Sequence, residues 1–152
     1  MQRLWLRLKP HLSRWRFIET ALGFLLKAYL TRGVVQLLWH ITAIEAVLGQ
    51  RADTGLTSLL RARVSKVLGR TIDERKALSK KFNKLYSFRS DLVHGNADLA
   101  KREIYLSHLS EARDFARRVV VWMMGYLEHV LNSLPAGAAV PSREDLLVLL
   151  DM

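Results

Sequence analysis

The chain has 152 residues, half of them hydrophobic, which is enough for one domain with a sizeable core. It contains no cysteine, which excludes disulfides and cysteine-ligated metal sites and gives no sign of an oxidising compartment, so a cytoplasmic protein is expected. Lys and Arg number 24 against 14 acids, and residues 1–70 hold 12 of the basic but only three of the acidic side chains (Glu19, Glu45, Asp53), or +9 of the net +10. A field of that sign concentrates polyanions, and nucleic acid is the commonest one in a cell.

The first 18 residues, MQRLWLRLKPHLSRWRFI, carry no acid, two Trp and five basic side chains. Arg-rich, acid-poor segments of this kind occur in membrane-surface helices and targeting presequences. Here Pro10 divides the segment and the apolar pattern runs on into Phe17, Leu22 and Leu25. Residues 1–16 are therefore expected to be a basic lead-in to the first core helix. Apolar residues then recur at three- and four-residue steps over 13–30, 33–48, 56–68, 72–93, 104–133 and 143–150, and no segment alternates like a strand. The breaks, at 49–55, 69–70, 95–99 and 135–141, carry turn chemistry. Thr71 with Glu74, and Ser142 with Asp145, have the spacing of capping boxes and mark two helix starts. The longest uncharged run, 33–44, is interrupted by Gln, His and Thr and falls short of the roughly 20 residues of a membrane span. The expectation is an all-α protein, one bundle of five to six helices over residues 1–152, with a short last helix inside 135–152 and no membrane segment.

One stretch, FRSDLVHGN at 88–96, is unusually polar for the end of a core helix. The apolar stripe of 72–93 runs Leu78, Phe82, Leu85 and Leu92, and Arg89 stands where the missing core residue belongs. The stripe of 33–48 reads Leu38, Ile41 and Leu48, with Glu45 in the missing place. Because a buried charge without a partner costs on the order of 3–5 kcal/mol, Arg89 and Glu45 are candidates for one ion pair between two packed helices, the alternative being that both side chains reach out to the rim of their stripes. His94 follows Arg89 by five positions, about 140° around a helix. Gly95 and Asn96 supply a stop signal there, and a chain turning at that point would bring imidazole and guanidinium to one cleft. Histidine gives or takes a proton near neutrality and arginine grips phosphate through a planar fork, a combination suited to attack of an RNA 2'-hydroxyl on the neighbouring phosphate.

Arg89-Ser-Asp-Leu-Val-His94 matches the Arg-x4-6-His signature of the HEPN superfamily, and the longer segment from Tyr86 to Asn96 resembles its Apea-like branch. Leu38 to Gly49, with Glu45 inside it, is similar to the Glu-bearing early helix of that branch. The resemblance covers roughly residues 35–133. It implies an all-α bundle that dimerises so that two copies of the motif share a cleft. It also implies a metal-independent ribonuclease of a toxin–antitoxin, abortive-infection or CRISPR-linked system, or a member that only binds. Carried over by residue, His94 would be the general acid/base and Arg89 the phosphate-binding group. Ser90 and Asp91 would be polar supports and Asn96 would fix the turn. Nuclease members often have Asn, Asp or His directly after the Arg, where this chain has Ser90.

Elsewhere the signals are weaker. His40, His108 and His129 show no metal-ligand spacing, and no metal or cofactor is expected. There is no Gly-rich phosphate loop and no Ser-His-Asp context. Arg113, Arg117 and Arg118 fall on one face of the long helix, as a solvated face or as part of an RNA path, and Val119, Val120, Met123, Met124 and Leu127 form a core or dimer stripe. The expected function is a metal-independent endoribonuclease of a defence or toxin system, acting as a homodimer on RNA. Two alternatives stay beside it: a non-catalytic module that binds RNA or protein through the dimer cleft, and an interaction domain whose basic half meets an antitoxin or a larger effector chain.

Overall fold

The structure, a computed structural model, describes residues 2–50, 55–96 and 102–152. Its regular elements are helical: α1 (Gln2–Leu8), α2 (Arg16–Leu30), α3 (Val34–Leu48), α4 (Leu56–Leu68), α5 (Ile72–Val93), α6 (Arg102–Ser133) and α7 (Arg143–Asp151), with a 3-10 turn at Lys9–His11. The expected turns at 49–55 and 95–99 fall partly outside the described residues. No described helix is long and apolar enough to cross a membrane.

The fold is all-α, with seven helices among the described residues where five to six were expected. The extra one is α1, in the basic lead-in. Leu8 and Trp15 from that segment are fully buried, so it belongs to the core and does not merely precede it. The Trp15 indole N–H donates to the carbonyl of Pro141 at 2.9 Å, which ties the start of the chain to the segment before α7. Arg7 pairs with Glu128 at 3.1 Å and fixes α1 against α6. Loss of a buried Trp at such a junction costs about 3–5 kcal/mol.

Two short connections fold the chain into helical hairpins, α2 on α3 and α4 on α5, and α6 packs against α1 to α5. With 32 residues α6 is about 48 Å long, which lets one helix serve as the spine. Its stripe Ala112, Phe115, Ala116, Val119, Val120, Met123, Met124 and Leu127 is buried within the single chain. Of the two readings of that stripe, core or dimer seam, the single chain shows core. Phe82 meets Phe115 edge-on at 5.5 Å, and Phe88 stacks on His108 at 4.4 Å, so α5 and α6 run in opposite directions.

Both capping boxes form. Thr71 accepts from the Glu74 N–H while Glu74 accepts from the Thr71 N–H, and Ser142 and Asp145 reciprocate in the same way. These starts set where α5 and α7 begin, and hence the register in which Arg89 reaches α3.

Candidate functional site

Three side chains from two helices meet at the α3–α5 contact. The Arg89 guanidinium lies 3.6 Å from the Glu45 carboxylate, and the Tyr86 hydroxyl donates to the same carboxylate oxygen at 2.7 Å. Arg89 also sits 5.6 Å from the centre of the Tyr86 ring, a cation–π distance. Burial, then the hydrogen bond to Glu45, push the Tyr86 phenol up to about 12, so it stays a neutral donor.

The two residues do pair, but at the rim of the core, with Arg89 and Glu45 side chains 30 % and 21 % exposed, between the buried pair and the rim placement that the apolar stripes left open. The reason is the course of α5. Phe82, Leu85 and Tyr86 are buried, but after them the helix leaves the core and Leu92 is only partly covered. A half-exposed pair keeps some hydration, so it stabilises less than a buried one and loses less when broken.

The end of α5 is a Schellman turn. The Asn96 N–H donates to the Asp91 carbonyl at 2.7 Å and the Gly95 N–H to that of Leu92 at 3.3 Å, with Gly95 at φ 73°. Asn96 thus fixes the turn through its backbone. His94 is the C-cap, its N–H bonded to the Ser90 carbonyl at 3.0 Å. The helix therefore holds its geometry through position 93. Arg89 faces α3, whereas His94 is exposed, and no hydrogen bond joins their side chains among the described residues. The expected turn forms, but within one chain it does not fold His94 back onto Arg89. Ser90 is half-buried and Asp91 exposed.

Glu45 is itself anchored by what surrounds the end of α3. A Cβ at Gly49 would lie 2.4 Å from the Glu45 carbonyl oxygen, so only glycine allows the helix to close this tightly. Arg143 of α7 donates to the carbonyl of Gly49 and, at 3.4 Å, to that of Glu45. Arg63, 2 % exposed, holds α7 from the other side through Asp151 at 2.8 Å, with further bonds to the Leu48 carbonyl and Gln50. Neither Arg63 nor Arg143 stood out in the sequence. Arg63 had the same signature as Arg89, a charge inside the stripe Leu60, Val64 and Val67, but its acid partner is 88 positions away.

Arg113, Arg117 and Arg118 are exposed on α6. Arg118 pairs with Asp114 at 3.2 Å. All three border an open groove that includes Arg70, Ser110 and Trp122, and Arg113 and Arg117 also border a second cavity against α2 and α3. Neither Arg89 nor His94 lines these two hollows. Among the described residues, no three His, Asp or Glu side chains gather as metal ligands would.

His40 was weighed in the sequence only as a metal ligand, and its burial did not stand out. It is 5 % exposed on α3, with neither ring nitrogen hydrogen-bonded. Burial first, and Arg113 second, push its pKa down to about 4. Its place between Leu37 and Ile41 on an apolar face was the available signal. Comparison of the chain with protein-family models, curated proteins and solved structures returned no match.

Proposed function

We propose that this chain is a HEPN-like module acting on RNA in the cytoplasm, a metal-independent endoribonuclease of a defence or toxin system. The observation that carries the reading is the Arg89–Glu45–Tyr86 triangle. An arginine on a core stripe is held by a carboxylate from a second helix, five residues before an exposed His94 at a glycine-stopped helix end. Glu45 and Tyr86 orient the guanidinium while leaving part of it open to an incoming phosphate. His94, free at the surface, supplies the proton-transfer group.

Because Arg89 faces inward and His94 outward on one chain, a shared cleft requires a second copy placed against the end of α5. The exposed apolar side chains Val93 and Leu106 support such a contact. The second reading, a non-catalytic binding module, draws support from the same separation, since Arg89 already has its acid partner and does not touch His94.

The test is incubation of purified protein with labelled RNA, with and without EDTA. Cleavage should leave 2',3'-cyclic phosphate ends, ignore EDTA, and weaken steeply with salt as counterions are released from RNA. His94→Ala should abolish it with helical content and RNA affinity intact, and Arg89→Ala should reduce both rate and affinity. RNA left equally whole by wild-type and His94→Ala protein would refute the enzyme and leave the binding module.

A further inference from the structure

The α2–α3 hairpin ends in a tip that the core does not cover. Leu26, Tyr29 and Leu30 lie on one face of α2, the last two being three and four residues beyond the first, and they are 59 %, 82 % and 72 % exposed. Val35, in the first turn of α3 on the other side of the connection, is 48 % exposed. Single exposed apolar residues need no explanation, but four gathered at one hairpin end mark an interaction surface.

The surroundings of this tip carry one sign of charge. From 20 to 44 the chain has no acid, while Lys27 and Arg32 stand exposed within that stretch. The Lys27 ammonium lies 4.7 Å from the centre of the Trp39 ring and 5.3 Å from that of Phe24, and the two rings stack on each other, so a cation is held against an aromatic pair at the border of the patch. On the flank, Arg113 and Arg117 of α6 line a cavity together with Tyr29 and His40, and no acid lines it among the described residues. α3 opens at Gly33 with no side-chain cap and no acid in its first turn, which leaves the positive end of its dipole at the tip as well. The Thr31 hydroxyl donates to the Lys27 carbonyl at 2.8 Å, so one of the free carbonyls that end α2 is satisfied without water.

We propose that this tip docks on an anionic lipid surface. Leu26, Tyr29, Leu30 and Val35 enter the boundary between headgroups and acyl chains, while Lys27 and Arg32, flanked by Arg113 and Arg117, meet the lipid phosphates. A protein partner would have to supply a fitted hollow for each of the four projecting side chains. Hydrocarbon yields to any apolar shape, so an uncovered hairpin end needs no such match. A polyanion without hydrocarbon would leave the apolar side chains in water. A bilayer surface combines an apolar layer with a sheet of negative charge, and these are the two partners that the tip calls for. The contact spans nothing, since no described helix is long and apolar enough to cross a membrane. It is separate from the Arg89–His94 region and does not rest on RNA cleavage there.

The experiment is co-sedimentation of the protein with vesicles of phosphatidylcholine alone and of phosphatidylcholine with phosphatidylglycerol in equal parts. The apparent Kd for the anionic vesicles should be about tenfold or more below that for the neutral ones. Leu26→Ser/Tyr29→Ser/Leu30→Ser, at exposed positions outside the core, should raise it about tenfold or more, and so should Lys27→Glu/Arg32→Glu, while Val148→Ser/Leu149→Ser, an exposed apolar pair on α7, leaves it unchanged. Because the chain has no cysteine, a polarity-sensitive fluorophore can be attached at Leu30→Cys or at Leu149→Cys alone. On anionic vesicles its emission should shift to the blue from position 30 and stay unchanged from position 149. Without lipid, the triple serine variant should keep the wild-type mass in light scattering. No binding to the anionic vesicles, equal binding by the triple serine variant, or a probe at position 30 that stays in water would overturn the proposal. A lower mass of the triple serine variant would also overturn it, by making the tip a contact between copies of this chain.

Discussion

Replacing Glu45 by alanine should destabilise the protein by about 2.5–5 kcal/mol, through two partners at once. Unit charges separated by the 3.6 Å between Arg89 and Glu45 attract by roughly 4–5 kcal/mol at an effective dielectric of about 20. Desolvation and the ordering of Arg89 take back most of that. With side chains 30 % and 21 % exposed, a net coupling of about 1–2 kcal/mol remains. The 2.7 Å bond from Tyr86 to the charged carboxylate adds about 1.5–3 kcal/mol. The assay is urea unfolding of wild type, Glu45→Ala, Arg89→Met and the double variant, followed by circular dichroism. Glu45→Ala should cost more than Arg89→Met, because it also orphans the Tyr86 hydroxyl, and the double variant should lose about 1–2 kcal/mol less than the sum of the singles. An alkaline titration gives an independent readout. The Tyr86 pKa, raised to about 12 by burial and then by Glu45, should fall toward 10 in Glu45→Ala. A raised folded-state pKa is a stabilisation fully present below pH 10 and lost as pH rises through 12, so wild type should lose its advantage over Tyr86→Phe in that window. Additive losses in the cycle, or a Glu45→Ala cost below about 0.5 kcal/mol, would refute the triangle as a coupled unit.

Light scattering should give about twice the chain mass at roughly tens of micromolar, and Val93→Asp should return it to one, since desolvating a lone carboxylate in the seam is costly; a wild-type monomer would remove the shared cleft. The His40 pKa is depressed to about 4 by burial and then by Arg113, with Arg117 also lining its cavity. The linked stability is therefore complete above about pH 6.5 and lost as pH falls through 4, so wild type should lose about 2–3 kcal/mol more than His40→Leu between pH 7 and 4.5 in matched urea melts. Asp151→Ala should cost about 2–3 kcal/mol and loosen α7, because it leaves Arg63, 2 % exposed, with only the Leu48 carbonyl and Gln50; protection of α7 amides from hydrogen exchange would fall, and unchanged protection would show that the clasp is not what holds α7.

Local rules sufficed for the helices. Three- and four-residue spacing, two capping boxes and glycine stops depend on neighbours within a turn, and the ends at Leu30, Leu48, Leu68, Val93 and Ser133 fell where those patterns broke. The charges at 45 and 89 were legible as a pair for the same reason, each interrupting an apolar stripe. What a stripe cannot express is how far its helix stays in the core. That α5 leaves it after Tyr86, making the pair a rim feature and leaving His94 in solvent, depends on where α6 and α3 lie. The same holds for Arg63 with Asp151, for Trp15 with Pro141, and for the cavity at His40, each joining segments far apart in the chain. Periodicity records which face of a helix is apolar; only the packing of one helix on another fixes which polar atoms on that face are met, and which are left without a partner.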